Sequence, residues 1–206
     1  MKTTRSLHRR TALASAVATS ALFLTGCGDN GNGSPATSPN PTTSVSVPAG
    51  EHNQADVDFA QGMIPHHRQA VMMADMAETR ASSSDVKELA EKIKKAQEPE
   101  IATMSAWLTA WGEEVPQGMD GMHDGHASSM PGMMNDQQMN DMQGASGKAF
   151  DTMFLTQMIK HHEGAITMAE TEKEEGAYDP AKELADDIIT AQKAEITHMR
   201  EMLGTN

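Results

Sequence analysis

Met63-Ile64-Pro65-His66-His67 and Met158-Ile159-Lys160-His161-His162 each place one thioether and two imidazoles within a single short stretch. On a helix, residues three and four apart share a face, so Met63 with His66 or His67 can grip one ion from one direction. Met158 can do the same with His161 or His162. Thioether and imidazole together favour Cu(I), with Ag(I) as its mimic, over Zn(II), Mg(II) or Ca(II). Further ligands must come from elsewhere. Met73 and Met168 lie two turns beyond the first histidine of each motif, and Met104 and Met199 belong to the segments that follow. The spacing allows one shared site of two imidazoles and two thioethers, or two separate sites.

A second reservoir of soft donors lies between the motifs, where residues 118–143 hold Met119, Met122, His123, His126, Met130, Met133 and Met134, then Met139 and Met142. These side chains sit among Gly, Asp and Asn, with no evident core to fill, which predicts a labile Cu(I) site for several ions. Asp120, Asp124, Asp136 and Asp141 would concentrate cations there without selecting among them. The competing reading is a flexible polar linker in which methionine is incidental.

The elements that position these groups follow from an internal repeat with a displacement of 95 residues. Phe59 matches Phe154, Ala70 matches Ala165, Leu89 matches Leu184, Gln97 matches Gln192, Glu100 matches Glu195 and Met104 matches Met199. In each copy the apolar positions recur every three or four residues, the pattern of one helix face. Turns fall at residues 81–84 and 176–179, with Ser84 and Asp179 expected as N-caps and Pro180 at the first helical position. Each copy is therefore a helical hairpin. One hairpin can bury only one face, so two related hairpins cover each other about a pseudo-twofold axis as an all-α four-helix bundle. Pro65 and Pro99 predict kinks near Gln61 and Lys95. The expected boundaries are a first hairpin over 56–114, a Met/His-rich loop over 115–146 and a second hairpin over 147–206, forming one domain.

Ahead of the domain, Lys2, Arg5, Arg9 and Arg10 precede an apolar run from Ala12 to Leu24, the pattern of an export signal over residues 1–26. Leu24-Thr25-Gly26-Cys27 resembles the lipobox of bacterial lipoproteins, which implies lipidation of Cys27, the single cysteine of the chain. Residues 27–55 are rich in Gly, Asn, Ser, Thr and Pro and read as a disordered tether. The expected location is the outer face of a bacterial cell membrane, within the envelope, with the lipid as the anchor. The chain carries a formal net charge of −13, and loss of residues 1–26, which hold four basic and no acidic residues, takes it to −17. Such a charge repels nucleic acid and draws cations in. With Cys27 lipidated no disulfide can form, and a soft-metal site has only Met and His to use.

Asp58-Phe59-Ala60-Gln61-Gly62-Met63-Ile64-Pro65-His66-His67, with the Gln97-x-x-Glu100-Ile101-x-x-Met104-x-x-Trp107 pattern, resembles the extracytoplasmic family known as domain of unknown function 305. The resemblance spans about residues 56 to 206. It implies a ferritin-like four-helix bundle and, for some members, copper binding or copper tolerance in the cell envelope. Carried over by position, the Met-x-x-His-His elements are Met63, His66, His67 and Met158, His161, His162. The second copy departs at Lys160, where the family commonly has Pro.

The competing structural reading makes His66 and His161 core histidines hydrogen-bonded to Glu100, Glu195, Gln97 or Gln192, with Met63 and Met158 as filler. The two readings are compatible, since a carboxylate that fixes a histidine tautomer also commonly backs a metal ligand. His67 and His162 point about 100° away from their neighbours and are expected to be exposed. A di-iron oxidase needs Glu-x-x-His on two helices. Only Glu195 to His198 fits, and the equivalent Glu100 to Thr103 does not, so an enzyme is not expected. The sequence thus points to a lipid-anchored protein that sequesters Cu(I) or exchanges it with a copper donor or acceptor. The alternative is a metal-free helical interaction module.

Overall fold

The structure is a computed structural model and describes residues 50–118 and 130–204. All regular elements among them are helices: α1 (Gln54–Arg80), α2 (Ser84–Trp111), α3 (Asp136–Gly144), α4 (Gly147–Glu175) and α5 (Asp179–Leu203). The long helices α1, α2, α4 and α5 form a four-helix bundle. The export signal, Cys27 and the tether up to residue 49, with Met119, Met122, His123 and His126, lie outside the described residues. No described helix is long and apolar enough to cross a membrane.

Local sequence sets the helix ends. The Asn53 side chain accepts from the amides of Ala55 and Asp56, while the Asp56 carboxylate accepts from the Asn53 amide at 2.6 Å, so α1 starts in a capping box. Helix α2 stops where Gly112 takes φ +78°, a left-handed turn that only glycine adopts without strain. The N-caps of α2 and α5 are Ser83 and Tyr178, one residue before the expected Ser84 and Asp179. The reason lies across the bundle, where Asp151 on α4 accepts from the amides of Ser82 and Ser83 at 3.0 and 3.1 Å, and from the Ser82 hydroxyl. Asp56 on α1 accepts from the amides of Ala177 and Tyr178 at 3.2 and 2.9 Å. Asp56 and Asp151 are equivalent in the repeat, as are the turns they hold. Each hairpin therefore ties down the turn of the other, with α1 and α4 in contact along the seam.

Helices α1 and α2 run unbroken through Pro65 and Pro99. Helix α3 was not expected within 115–146. It begins with its own capping box between Asn135 and Gln138 and packs against α4. Its arrival supplies a core for the methionines around it. Met134 and Met142 are buried beside Phe150, Phe154 and Leu155, so Met134, expected as a metal ligand, also has a place in the packed core.

The apolar interior falls into two clusters, one around Met73, Phe150, Phe154, Met158 and Met199, the other around Phe59, Met63, Met104, Trp107 and Ile188. On every long helix a buried polar residue separates the two sets: His66 and His67 on α1, Gln97 on α2, His161 and His162 on α4, Gln192 on α5. A histidine layer thus crosses the middle of the bundle.

Candidate metal centre

Helices α1 and α4 bring His66 and His161 face to face at that layer. Their ring centroids are 3.8 Å apart with planes tilted by 40°, and both side chains are fully buried. The pseudo-twofold thus joins the first histidines of the two motifs. Met63 and Met158, one turn earlier on the same helices, are also fully buried and belong to opposite clusters, as do Met104 and Met199. Two imidazoles therefore sit between two sets of thioethers.

The second histidines are not exposed, contrary to expectation: His67 and His162 have no accessible surface. Helix α1 turns His67 toward α2, and α4 turns His162 toward α5. There His67 Nε2 meets Glu100 Oε2 at 2.7 Å and His162 Nε2 meets Glu195 Oε2 at 2.6 Å. Glu100 and Glu195 are thus histidine partners as expected, but of the second histidine in each pair rather than the first. Gln97 and Gln192 lie in the layer, and their side-chain carbonyls find no hydrogen-bond partner.

Hydrogen bonding fixes the tautomers. Carboxylates and carbonyls only accept, so His67 and His162 carry their proton on Nε2, toward Glu100 and Glu195. His66 carries its proton on Nε2, donated to the Pro131 carbonyl at 3.1 Å. All three Nδ1 atoms are buried without a partner. His161 has no partner at either nitrogen. Burial holds His66 down to about 3, reinforced by the neighbouring His67, and holds His161 well below its ordinary value. Neutral imidazoles with buried lone pairs are the form a metal ion needs. Among the described residues no three His, Cys, Asp or Glu side chains gather as a ligand group. Nitrogen and oxygen alone do not complete a site at the pair, and the methionines are the donors that remain beside it.

The other expected ligands divide. Met73 is fully buried in the apolar core, while Met168 is half-buried at its edge. Met130 and Met133 are half-buried. His198 is more than half exposed, 3.9 Å from Glu201, and takes no part in the layer.

Sequence reasoning missed how the segment after residue 129 closes over the layer. Besides the Pro131 carbonyl, the Gln69 side chain holds both backbone groups of Met134, donating to its carbonyl at 2.9 Å and accepting from its amide at 2.7 Å. The repeat equivalent of Gln69 is Gly164. A Cβ there would stand 1.9 Å from the Pro131 carbonyl oxygen, so only glycine lets the strap cross α4. That inequality at matched positions was the available signal.

The model of the family described as "Domain of unknown function (DUF305)" matches residues 56–203. The chain belongs to the DUF305 family. Among solved structures, the DUF305 chain resembles a family member from Streptomyces coelicolor classed as secreted, at 31% identity and TM-score 0.65, covering 73% of this chain and 92% of that one. A DUF305 fragment from Deinococcus radiodurans aligns at 28% identity and TM-score 0.66, over 75% and 98% of the two chains. CopM in its Cu(II)-bound form aligns at 36% identity and TM-score 0.61, over 71% and 94%. CopM structures in Cu(I)-bound and Ag-bound forms match as well. No curated protein matches the DUF305 chain.

Proposed function

We propose that this DUF305 protein binds copper as Cu(I) outside the cytoplasm, to sequester it or pass it to another protein. The observation that carries this reading is the buried His66–His161 pair, with partnerless nitrogens and Met63 and Met158 on its two sides. Two neutral imidazoles and two thioethers are a soft donor set. His67 and His162, whose Nδ1 atoms are also without a partner, are further candidate ligands, and Glu100 and Glu195 orient them as carboxylates orient metal-binding histidines. The likeness to CopM, solved with Cu(I), Cu(II) and Ag, supports copper as the metal, and the thioether donors favour its Cu(I) state. Residues 119–129, with Met119, Met122, His123 and His126, would scavenge further ions, and Cys27 would anchor the protein through lipid.

The test is an anaerobic Cu(I) titration against a competing chelator, with Zn(II) as control. It compares the chain with a variant lacking only residues 119–129, which spares Met134 and Met142 in the core. Competition by both, with lower capacity in the deletion, is the expected result. If neither competes, the histidine layer serves structure alone.

A further inference from the structure

Gly62 is one turn before His66 on α1, and its repeat equivalent is Gln157. A Cβ at Gly62 would stand 3.0 Å from the Met168 methyl and 3.9 Å from the Met130 sulfur. Thioethers from two different segments, the strap and α4, therefore converge on one bare patch of α1 backbone. Both are half-buried, whereas Met63, Met73, Met104, Met158 and Met199 are fully enclosed.

Among the described residues the repeat does not reproduce this convergence on the other side. Met73, the repeat equivalent of Met168, is closed into the core, and the equivalent of Gly62 is Gln157, which carries a side chain where Gly62 has none. The asymmetry comes from the strap. Gln69 and Gly164 seat it, and its Pro131 carbonyl rests on His66, which puts Met130 one residue from a direct contact with the buried pair. Gly62 and His66, four apart on one helix, put the thioethers and the imidazoles on the same face.

We propose that Met130 and Met168 form a port for a soft monovalent cation, Cu(I) or Ag(I), between solvent and the His66–His161 pair. Two uncharged thioethers bind such ions while offering little to hard divalent ones. Their partial exposure lets an ion exchange with solvent there, and one helical turn separates the port from the layer. The proposal rests on the metal-binding reading of that layer, and its test separates the two.

The test is methyl NMR of the full chain, in detergent, labelled with [methyl-13C]methionine and titrated anaerobically with Ag(I). Met130→Leu, Met168→Leu, Met63→Leu and Met158→Leu variants assign the signals. Leucine keeps volume and apolarity, so these chains keep their packing. The expected result is that the Met130 and Met168 methyls shift together, and that Met168→Leu abolishes the shift at Met130 while Met63 and Met158 still respond. The double variant should bind one Ag(I) fewer. If Met63 and Met158 shift and Met130 and Met168 stay still, or if Met130 still shifts in Met168→Leu, the port is wrong and the central site stands. If Met130 and Met168 alone respond, they hold the ion without passing it inward, and both the port and the central site are wrong. If none of the four responds, both fail.

Discussion

At the scale of single residues, the histidine layer inverts the usual treatment of buried polar atoms. Buried nitrogens are nearly always paired, because leaving one unpaired costs about 1–3 kcal/mol. Here His66, His67, His161 and His162 all keep a buried nitrogen without a partner. A metal ion would offset that cost at the central pair, and Glu100 and Glu195 become groups that orient imidazoles rather than ligands. Glu195→Gln is therefore expected to lower Cu(I) affinity about 10- to 100-fold while the far-UV circular dichroism stays unchanged. An unaltered affinity would leave Glu195 as a purely structural partner. A second buried group sits where the repeat breaks: Glu172 replaces the equivalent Ala77 and lies beside Asp56. Burial, and then the Asp56 carboxylate, push Glu172 up to about 8 from an ordinary 4.5. The folded chain thus holds this proton where the unfolded chain has released it, so stability falls as pH rises from 4.5 toward 8 and levels off above. Glu172→Gln should flatten that part of the curve, read from Tm at pH 5 and pH 9.

At the scale of elements, the crossed carboxylates explain why the hairpin turns start their second helices where they do. Asp151 accepts three hydrogen bonds from the turn at 82–83, and as a charged acceptor it makes each a strong one. Its removal would leave amides at the start of α2 without a partner. Asp151→Ala is expected to lose about 2–4 kcal/mol in urea unfolding with an unchanged m-value. Asp56→Ala should cost less, although Asp56 is the equivalent residue, because its loss also relieves Glu172.

At the scale of the whole molecule, the two halves complete each other. Each turn is held by the other hairpin, and the central imidazole pair takes one ring from each. A fragment of residues 50–118 keeps its helix signals but loses the α1–α4 seam, the Asp151 carboxylate and the second apolar cluster's partners. It is expected to show little helical circular dichroism, since helices in water draw most of their stability from packing. The intact chain should unfold in one transition by calorimetry and circular dichroism alike. A folded, helical fragment would show that the pseudo-twofold is a late addition to independent hairpins.

The 95-residue repeat and its three-and-four periodicity were enough for an all-α bundle of two hairpins, because helix formation and the burial of one face are local properties of spacing. The same spacing put Met63, His66, Met158 and His161 among the candidates, and the softness of their donors made Cu(I) the ion to expect. Tertiary structure decided what spacing leaves open. It brought His66 and His161 into one layer, gave Glu100 and Glu195 to His67 and His162, and enclosed Met73 and Met134 in the core. It also set Gln69 and Gly164 as the seat of a strap. Those outcomes depend on which helices meet and at what height, and distances across the seam are not encoded in the spacing along any one helix.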